Sequence, residues 1–321
     1  MERILVIGAN GQIGSELVAA LAGTFGAGNV IASDIAAHGP QHPVCYEPLD
    51  VLDRQRLGAL VERHHITQVY HLAALLSATS EARPIQAWTL NMNGLLNVLE
   101  LARERPRLRV FWPSSIAAFG PHSPALETPQ LAVMDPTTIY GISKQAGERL
   151  CEYYFHKFGV DVRSVRYPGV ISYKTPPGGG TTDYAIDIFQ AAKRDGAYTC
   201  FLKPDTVLPM MYMPDAVRAT LELMAADAAA IRVRSAYNVA GMSFDPATLA
   251  EAIGRRVPGF AITYAPDFRQ AIADTWPHTL DDTYARYDWG WRPAFDLEAM
   301  VDDMLANVPL AWRGEALDHA A

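Results

Sequence analysis

Cysteine is scarce in this chain: Cys45, Cys151 and Cys200 are the three among 321 residues. An odd number without ligand spacing predicts reduced thiols rather than a disulfide framework. Nine histidines include the pair His64-His65. None forms a cluster with cysteines or carboxylates in the sequence, so no metal is expected. Positive charge is also short. Lys and Arg number 27 against 35 Asp and Glu, a net charge of −8, and no stretch is strongly basic. That makes nucleic acid and anionic membrane surfaces poor partners. No run approaches the roughly 20 consecutive apolar residues of a membrane span. The apolar start of the chain is only about five residues long, too short for a secretory signal, so a cytoplasmic location is expected. No internal repeat or low-complexity block is visible.

What is present is a chain with 50% hydrophobic residues, long enough for one large or two modest domains. Its first feature is the apolar run 4–7 followed by Gly8-x-x-Gly11-x-x-Gly14. Four apolar residues predict a buried parallel strand. Gly8 permits the tight turn, Gly11 lets a backbone approach a pyrophosphate, and Gly14 lets the following helix pack closely on the strand. Free N–H groups at the helix start, with the helix dipole behind them, favour an anionic ligand.

Strand and helix signals then alternate. Strands are expected at 4–7, 29–34, 44–49, 69–73, 110–112 and 161–167. Helices are expected at 13–22, through Leu57, Leu60 and Val61, at 88–103 and at 139–158, with a loop at 36–43. Alternation of this kind predicts an α/β fold, a Rossmann-type doubly wound parallel sheet, over residues 1–170. After Tyr167-Pro168-Gly169 the texture changes to a loop of chain breakers, 175–182, and shorter elements. Residues 171–321 are expected to form mainly a smaller substrate-binding lobe, with a helix at 183–193 and a helix at 214–224 returning to the sheet. The tail from Gly314 is expected to fray.

Asp34 lies at the end of the second strand, where a carboxylate can accept hydrogen bonds from ribose hydroxyls and repel a 2′-phosphate. With no Arg close behind it, NAD is expected rather than NADP. Asp50-Val51, after the third strand, is placed to meet an adenine. Leu72-Ala73-Ala74 ends the fourth strand with small side chains that leave room for a cofactor. Tyr140 and Lys144 stand one helical turn apart on one face. An ammonium near a phenol favours the phenolate and should lower its pKa from about 10 toward neutrality. Tyr140 then becomes a general base, and Ser115, at the end of the fifth strand, can hold the same substrate oxygen. Pro113 is expected to distort that strand end and with it the pose of Ser114.

These residues, with Asn91-x-x-Gly94, Arg166-Tyr167-Pro168 and the late Trp289-Gly290-Trp291-Arg292-Pro293, resemble the extended short-chain dehydrogenase/reductases of the NAD-dependent epimerase/dehydratase type. The resemblance spans essentially the whole chain. It implies NAD across Gly11, Gln12 and Ile13, contacts from Ser114, Tyr140 and Lys144, an ordering role for Asn91, and Tyr167 near the nicotinamide.

The segment Gly178-Gly179-Gly180-Thr181-Thr182 supplies backbone N–H groups and two hydroxyls in a compact space. That suits one small carboxylate better than a diphosphate. Together with Ala273-Asp274-Thr275-Trp276-Pro277, it is similar to the short-chain branch of L-threonine 3-dehydrogenases. That likeness implies oxidation of the threonine Cβ hydroxyl to 2-amino-3-oxobutyrate with NADH formed, in threonine catabolism. Ser77 and Ser80 would then meet the amino-acid head group, and Trp276 would form a wall. The alternatives are an NAD-dependent nucleotide-sugar epimerase, reductase or dehydratase, and a non-catalytic NAD-sensing regulator. The helices at 88–103 and 139–158 carry apolar residues beyond one core-facing stripe, Leu95, Leu99, Tyr153, Tyr154 and Phe158, so a homodimer through a four-helix bundle is expected, which resembles the family's dimer.

Overall fold

The computed structural model describes residues 2–40 and 42–312; the tail from Gly314 lies outside the described residues. Strands β1 (Ile4–Ile7), β2 (Val30–Asp34), β3 (Cys45–Pro48), β4 (Gln68–His71) and β5 (Arg109–Phe111) belong to the central sheet, while β6 (Ser114–Ser115) stands apart from it. β7 (Val162–Arg163) completes a six-stranded sheet in the order β3-β2-β1-β4-β5-β7, and every pair within it is parallel. β1 is buried along its whole length. Its unbroken apolar run follows from that, because helices cover a parallel sheet on both faces.

Helix α1 (Gln12–Phe25) packs on one face, with Leu17, Val18 and Leu21 in a cluster that includes Val6, Phe111 and Val165. On the other face lie α2 (Arg54–Arg63) and, after the short helices α3 (Ser77–Ala82) and α4 (Pro84–Trp88), α5 (Gly94–Glu104) and α6 (Ile139–Phe158). α6 starts where Thr138 accepts the Gly141 N–H at 3.0 Å and ends at Gly159 in the left-handed region. These are the usual start and stop devices of a helix. A third cluster is built on α7 (Tyr184–Arg194) and on helices at 246–254 and 297–307. Helix α8 (Met213–Ala225) joins the first cluster beside α1 through Ala216, Val217, Ala219 and Leu223.

Two expected elements are divided. The helix at 88–103 is instead α4, a π-helical turn Thr89–Asn93, and α5. Such turns concentrate at functional sites, and this one holds Asn91. The strand at 161–167 breaks at Ser164. β7 stays in the central sheet, whereas β8 (Val165–Tyr167) pairs with β6 and with Tyr237–Asn238 in a sheet of three strands. The cause lies across the sheet. Val110 and Trp112 donate toward β7, to the Asp161 and Arg163 carbonyls, whereas position 113, like Arg109, faces β4; Pro113 has no N–H for that side and the pairing with β4 ends there. β6 then pairs with β8 in the register that β5 keeps with β7.

The bundle expectation also changes. Leu95 and Leu99 are fully buried against the sheet, and Tyr154 is buried. Only Tyr153 and Phe158 of the five remain exposed.

Candidate active site

A cavity of about 490 Å³ opens where β1 gives way to α1, at the switch point of the sheet order. The glycine turn forms its floor. Gly8 has φ +85°, and a Cβ there would lie 2.7 Å from the Ala73 N atom. A Cβ on Gly14 would lie 2.1 Å from the Gly8 carbonyl oxygen. Neither position accepts any other residue without moving backbone. Gly11 caps α1 with no side-chain hydrogen bond, and the first turn carries no acid. Gln12 Nε2 is buried without a partner, and Gln12 lines the cavity beside Ile13. An unsatisfied buried amide costs stability, so this one fits a polar ligand group.

Asp34 accepts the Asn10 N–H at 3.0 Å, which fixes the outer edge of the turn. Asn10 lines the cavity and escaped the sequence reading, although it sits inside the glycine motif. Leu72 and Ala74 line the same space, but Asp34, Asp50, Val51, Ala73 and Asn91 do not. Asp50 accepts the Leu52 N–H at 2.9 Å in a turn, and Val51 is buried. Asn91 accepts from Leu75 N at 2.9 Å and donates to the Leu75 carbonyl and to Ser143, so it orders the loop after β4 against α6.

Ser115, Tyr140 and Lys144 converge on the cavity. β6 carries the serine and α6 the other two. Ser115 Oγ accepts the Ala117 N–H at 3.2 Å. Lys144 Nζ donates to the Pro113 carbonyl at 2.6 Å and stands 4.6 Å over the Trp112 ring and 5.4 Å over the Tyr140 ring. Its burial lowers its pKa to about 7, against the opposing pull of Cys151 and Glu148. The expected phenolate is corrected here. Burial pushes the Tyr140 phenol up to about 12, and only its hydrogen bond with Ser115 pulls the other way. Desolvation disfavours both charged forms and outweighs the pairing of phenol with ammonium. Ser114 also lines the cavity, but its hydroxyl donates to Glu148 Oε1 at 2.6 Å. Tyr167 lines it as well, with its hydroxyl turned away to Thr220 and the Ala216 carbonyl.

The opposite wall is the strap after Tyr173. Ser77 and Thr181 share a hydroxyl–hydroxyl hydrogen bond of 3.1 Å, and the Thr181 N–H donates to Ser77 Oγ at 3.2 Å. Gly178, Gly180, Thr182 and Trp276 line the cavity with them. Two expectations fail. Ser80 does not reach the cavity; its hydroxyl donates to the Leu75 carbonyl at 3.1 Å. The amides of Gly179 and Gly180 are not free for a carboxylate, because both donate to Asp183 Oδ2, at 2.9 and 2.6 Å. Asp183 lines the cavity, and burial raises its pKa. Asp183 stands in the run Gly-Gly-Gly-Thr-Thr-Asp-Tyr-Ala that carries the likeness, but this use of its carboxylate arises only when the strap folds back onto the start of α7.

One cluster contradicts the sequence-level absence of ligand groupings. Cys45, Glu47 and His64 bring ligand atoms within 4.8 Å of one another. β3 and the end of α2 bring them together. None of them lines the cavity, and Glu47 Oε1 already meets His64 Nε2 at 3.1 Å and Arg63 at 3.3 Å.

The profile of the NAD-dependent epimerase/dehydratase family matches residues 4–240. The chain belongs to this family. Among its relatives is an uncharacterized epimerase/dehydratase of Staphylococcus haemolyticus, 49% identical over 96% of this chain and 98% of the relative. Among solved structures, a GalE-like L-threonine dehydrogenase from Cupriavidus necator is 61% identical. It covers 95% of this chain and 100% of its own, with a TM-score of 0.93. An L-threonine dehydrogenase from Clostridium difficile is 46% identical over 96% and 98%, with a TM-score of 0.93. A monomeric L-threonine 3-dehydrogenase from a metagenome is 46% identical over 95% and 98%, with a TM-score of 0.92. The cofactor named by the family, NAD, fits what the turn offers: a cradle without Cβ atoms at Gly8 and Gly14, a helix N-terminus, and the unpartnered Gln12 amide.

Proposed function

We propose that this chain oxidises L-threonine at its Cβ hydroxyl, yielding 2-amino-3-oxobutyrate and NADH. One observation carries this reading. The cavity that holds Ser115, Tyr140 and Lys144 is walled on its far side by the compact strap of Ser77, Gly178, Gly180, Thr181 and Thr182, with Trp276 beside it. Bound NAD⁺ supplies the acceptor for the hydride that leaves Cβ. Ser115 orients the substrate hydroxyl, and Tyr140 takes its proton. Lys144 places a positive charge beside the phenol ring and anchors α6 to the strand end through Pro113. The glycine turn, Asp34, Asp50-Val51, Leu72-Ala73-Ala74 and Tyr167 are the cofactor side of the site. Ser77, the strap and Trp276 are its substrate side, with Ser80 acting through the Leu75 loop.

Residues 1–170 are then the cofactor domain and 171–321 mainly the substrate lobe, with α8 returned to α1. Three free cysteines accord with work in the cytoplasm. For assembly, we favour a dimer in which the exposed Tyr153 and Phe158 of α6 meet their copies. The monomeric relative makes a mass measurement in solution the deciding test.

The function is tested by mixing the purified chain with NAD⁺ and L-threonine and following NADH absorbance. Steady NADH formation is expected. No turnover with threonine, together with turnover of a nucleotide sugar, sinks the reading.

A further inference from the structure

Below the cavity lies an ion pair that the reaction itself does not use. Glu148 is fully buried, one helical turn beyond Lys144 and two beyond Tyr140 on the inner face of α6. Arg166 grips it with two parallel hydrogen bonds, Nε to Oε1 at 2.9 Å and NH2 to Oε2 at 2.8 Å. A third bond reaches Oε1 from the Ser114 hydroxyl at 2.6 Å. Arg166 is itself fixed by the Gln130 carbonyl and by Asn238 Oδ1, both at 2.9 Å, and stacks 4.9 Å from Phe119. Asn238 in turn donates to the carbonyls of Thr128 and Asp281. Thr128 bridges to Leu280, in the segment that follows Trp276.

Three parts of the site therefore meet at one carboxylate: the serine strand through Ser114, the Tyr140–Lys144 helix through its own backbone, and the Trp276 segment through Arg166. Buried ion pairs are weak sources of stability but can define geometry. β6 is only two residues long and has left the central sheet at Pro113. Its pairing with β8 sets Ser114 opposite Arg166 and Ser115 opposite Tyr167. A side-chain tie from that short strand to the helix is what holds Ser115 at one height relative to Tyr140.

We propose that Glu148, clamped by Arg166, is the positioning residue of this site: through Ser114 it fixes Ser115 against the Tyr140–Lys144 face of α6. The inference deepens the threonine dehydrogenase function and rests on it for its kinetic readout. The same carboxylate also favours a charged Lys144. The other groups facing that lysine are Tyr140 and Cys151 on α6, the Pro113 carbonyl and Trp112 ring after β5, and His71 at the end of β4, which burial keeps neutral with a pKa of about 3. Of these, Glu148 is the one paired with a bidentate arginine.

The experiment titrates the Lys144 side-chain nitrogen by NMR in the full chain without substrate and measures threonine kinetics in parallel. In Glu148→Gln the lysine midpoint falls by about one pH unit, and kcat at neutral pH falls about tenfold with the KM for NAD⁺ unchanged. Ser114→Ala leaves the ion pair in place and lowers kcat about fivefold, as expected for one lost hydrogen bond. A Glu148→Gln protein that loses only thermal stability, with the parental lysine midpoint and kcat, overturns the proposal. If Glu148→Gln does not fold, Ser114→Ala decides alone, and parental kcat overturns it. If the parent does not oxidise threonine, the threonine function falls, and the positioning role is read from the Ser115 and Tyr140 resonances instead: shifted in Glu148→Gln and Ser114→Ala they uphold it, parental in both they overturn it.

Discussion

Lys144 Nζ donates to the carbonyl of Pro113 at 2.6 Å. Pro113 ends the central-sheet ladder, and Ser115 lies two residues beyond it. The lysine thus joins α6 to the strand end that carries the serine, besides placing charge near Tyr140.

Burial lowers the Lys144 pKa to about 7 from its ordinary 10.5. Between those values the unfolded chain binds a proton that the native chain does not, so stability rises with pH. The destabilisation is full below about pH 7 and fades toward pH 10.5. Lys144→Met should abolish turnover. It should also raise Tm relative to the parent at pH 6, by an amount that shrinks as pH approaches 10, in thermal melts across that range. A gain that is constant with pH would refute this account of the lysine.

The glycine turn predicts a sharper result. A Cβ on Gly14 meets the Gly8 carbonyl oxygen at 2.1 Å. Ala normally favours a helix over Gly by about 1 kcal/mol, but here overpacking against backbone should reverse the sign. Gly14→Ala should lose about 1–3 kcal/mol in denaturant unfolding and weaken NAD⁺ binding in calorimetry. A stabilised variant with parental NAD⁺ affinity would contradict the cradle.

Behind the catalytic lysine, a Cβ on Gly147 would meet the Trp112 ring at 2.3 Å and Leu95 at 3.1 Å. Trp112 is the ring on which Lys144 rests. Gly147→Ala should therefore destabilise by about 1–3 kcal/mol and lower kcat more than it raises the KM for NAD⁺. Steady-state kinetics with denaturant melts check both parts.

On the substrate wall, Asp183 holds the amides of Gly179 and Gly180. Asp183→Ala leaves both donors without their partner and loosens the strap. The KM for threonine should rise about tenfold, equivalent to one or two hydrogen bonds, while the affinity for NAD⁺ stays near parental. Equal weakening of both ligands would place Asp183 elsewhere in the mechanism.

Much of this was legible in the sequence because it depends on local pattern. The apolar run 4–7 could only be a doubly covered strand, and the glycine spacing dictated the turn after it. Tyr140 and Lys144 share a helix face by periodicity alone, and the structure brings Ser115 to the same cavity. What stayed hidden depends on partners distant in the chain. The split at Ser164 follows from Pro113, some fifty residues earlier. The π-turn at Thr89–Asn93 follows a helix whose composition reads as continuous. Leu95 and Leu99 looked like a dimer seam and proved to be sheet core. Cys45, Glu47 and His64 met only through the pairing of β3 with β2 and the course of α2. The phenol's raised pKa required knowing how deeply α6 is buried.

Tyr140 is the proposed base, so Tyr140→Phe should lose about 10²–10⁴-fold in rate with NAD⁺ affinity retained. Because burial holds the phenol at about 12 and Lys144 at about 7, kcat/KM should climb with pH from about 5 to 7 as the phenolate fraction grows, then level off above about 7 as the lysine loses its charge. A flat profile from about 5 to 7 would remove Tyr140 from that role.

The central claim is hydride transfer from the threonine Cβ. It is tested most directly with L-threonine deuterated at Cβ, incubated with NAD⁺ and the purified chain, and mass analysis of the NADH formed. The account predicts NADH carrying one deuterium, formed more slowly than from unlabelled threonine. NADH without deuterium, or none at all, would contradict it.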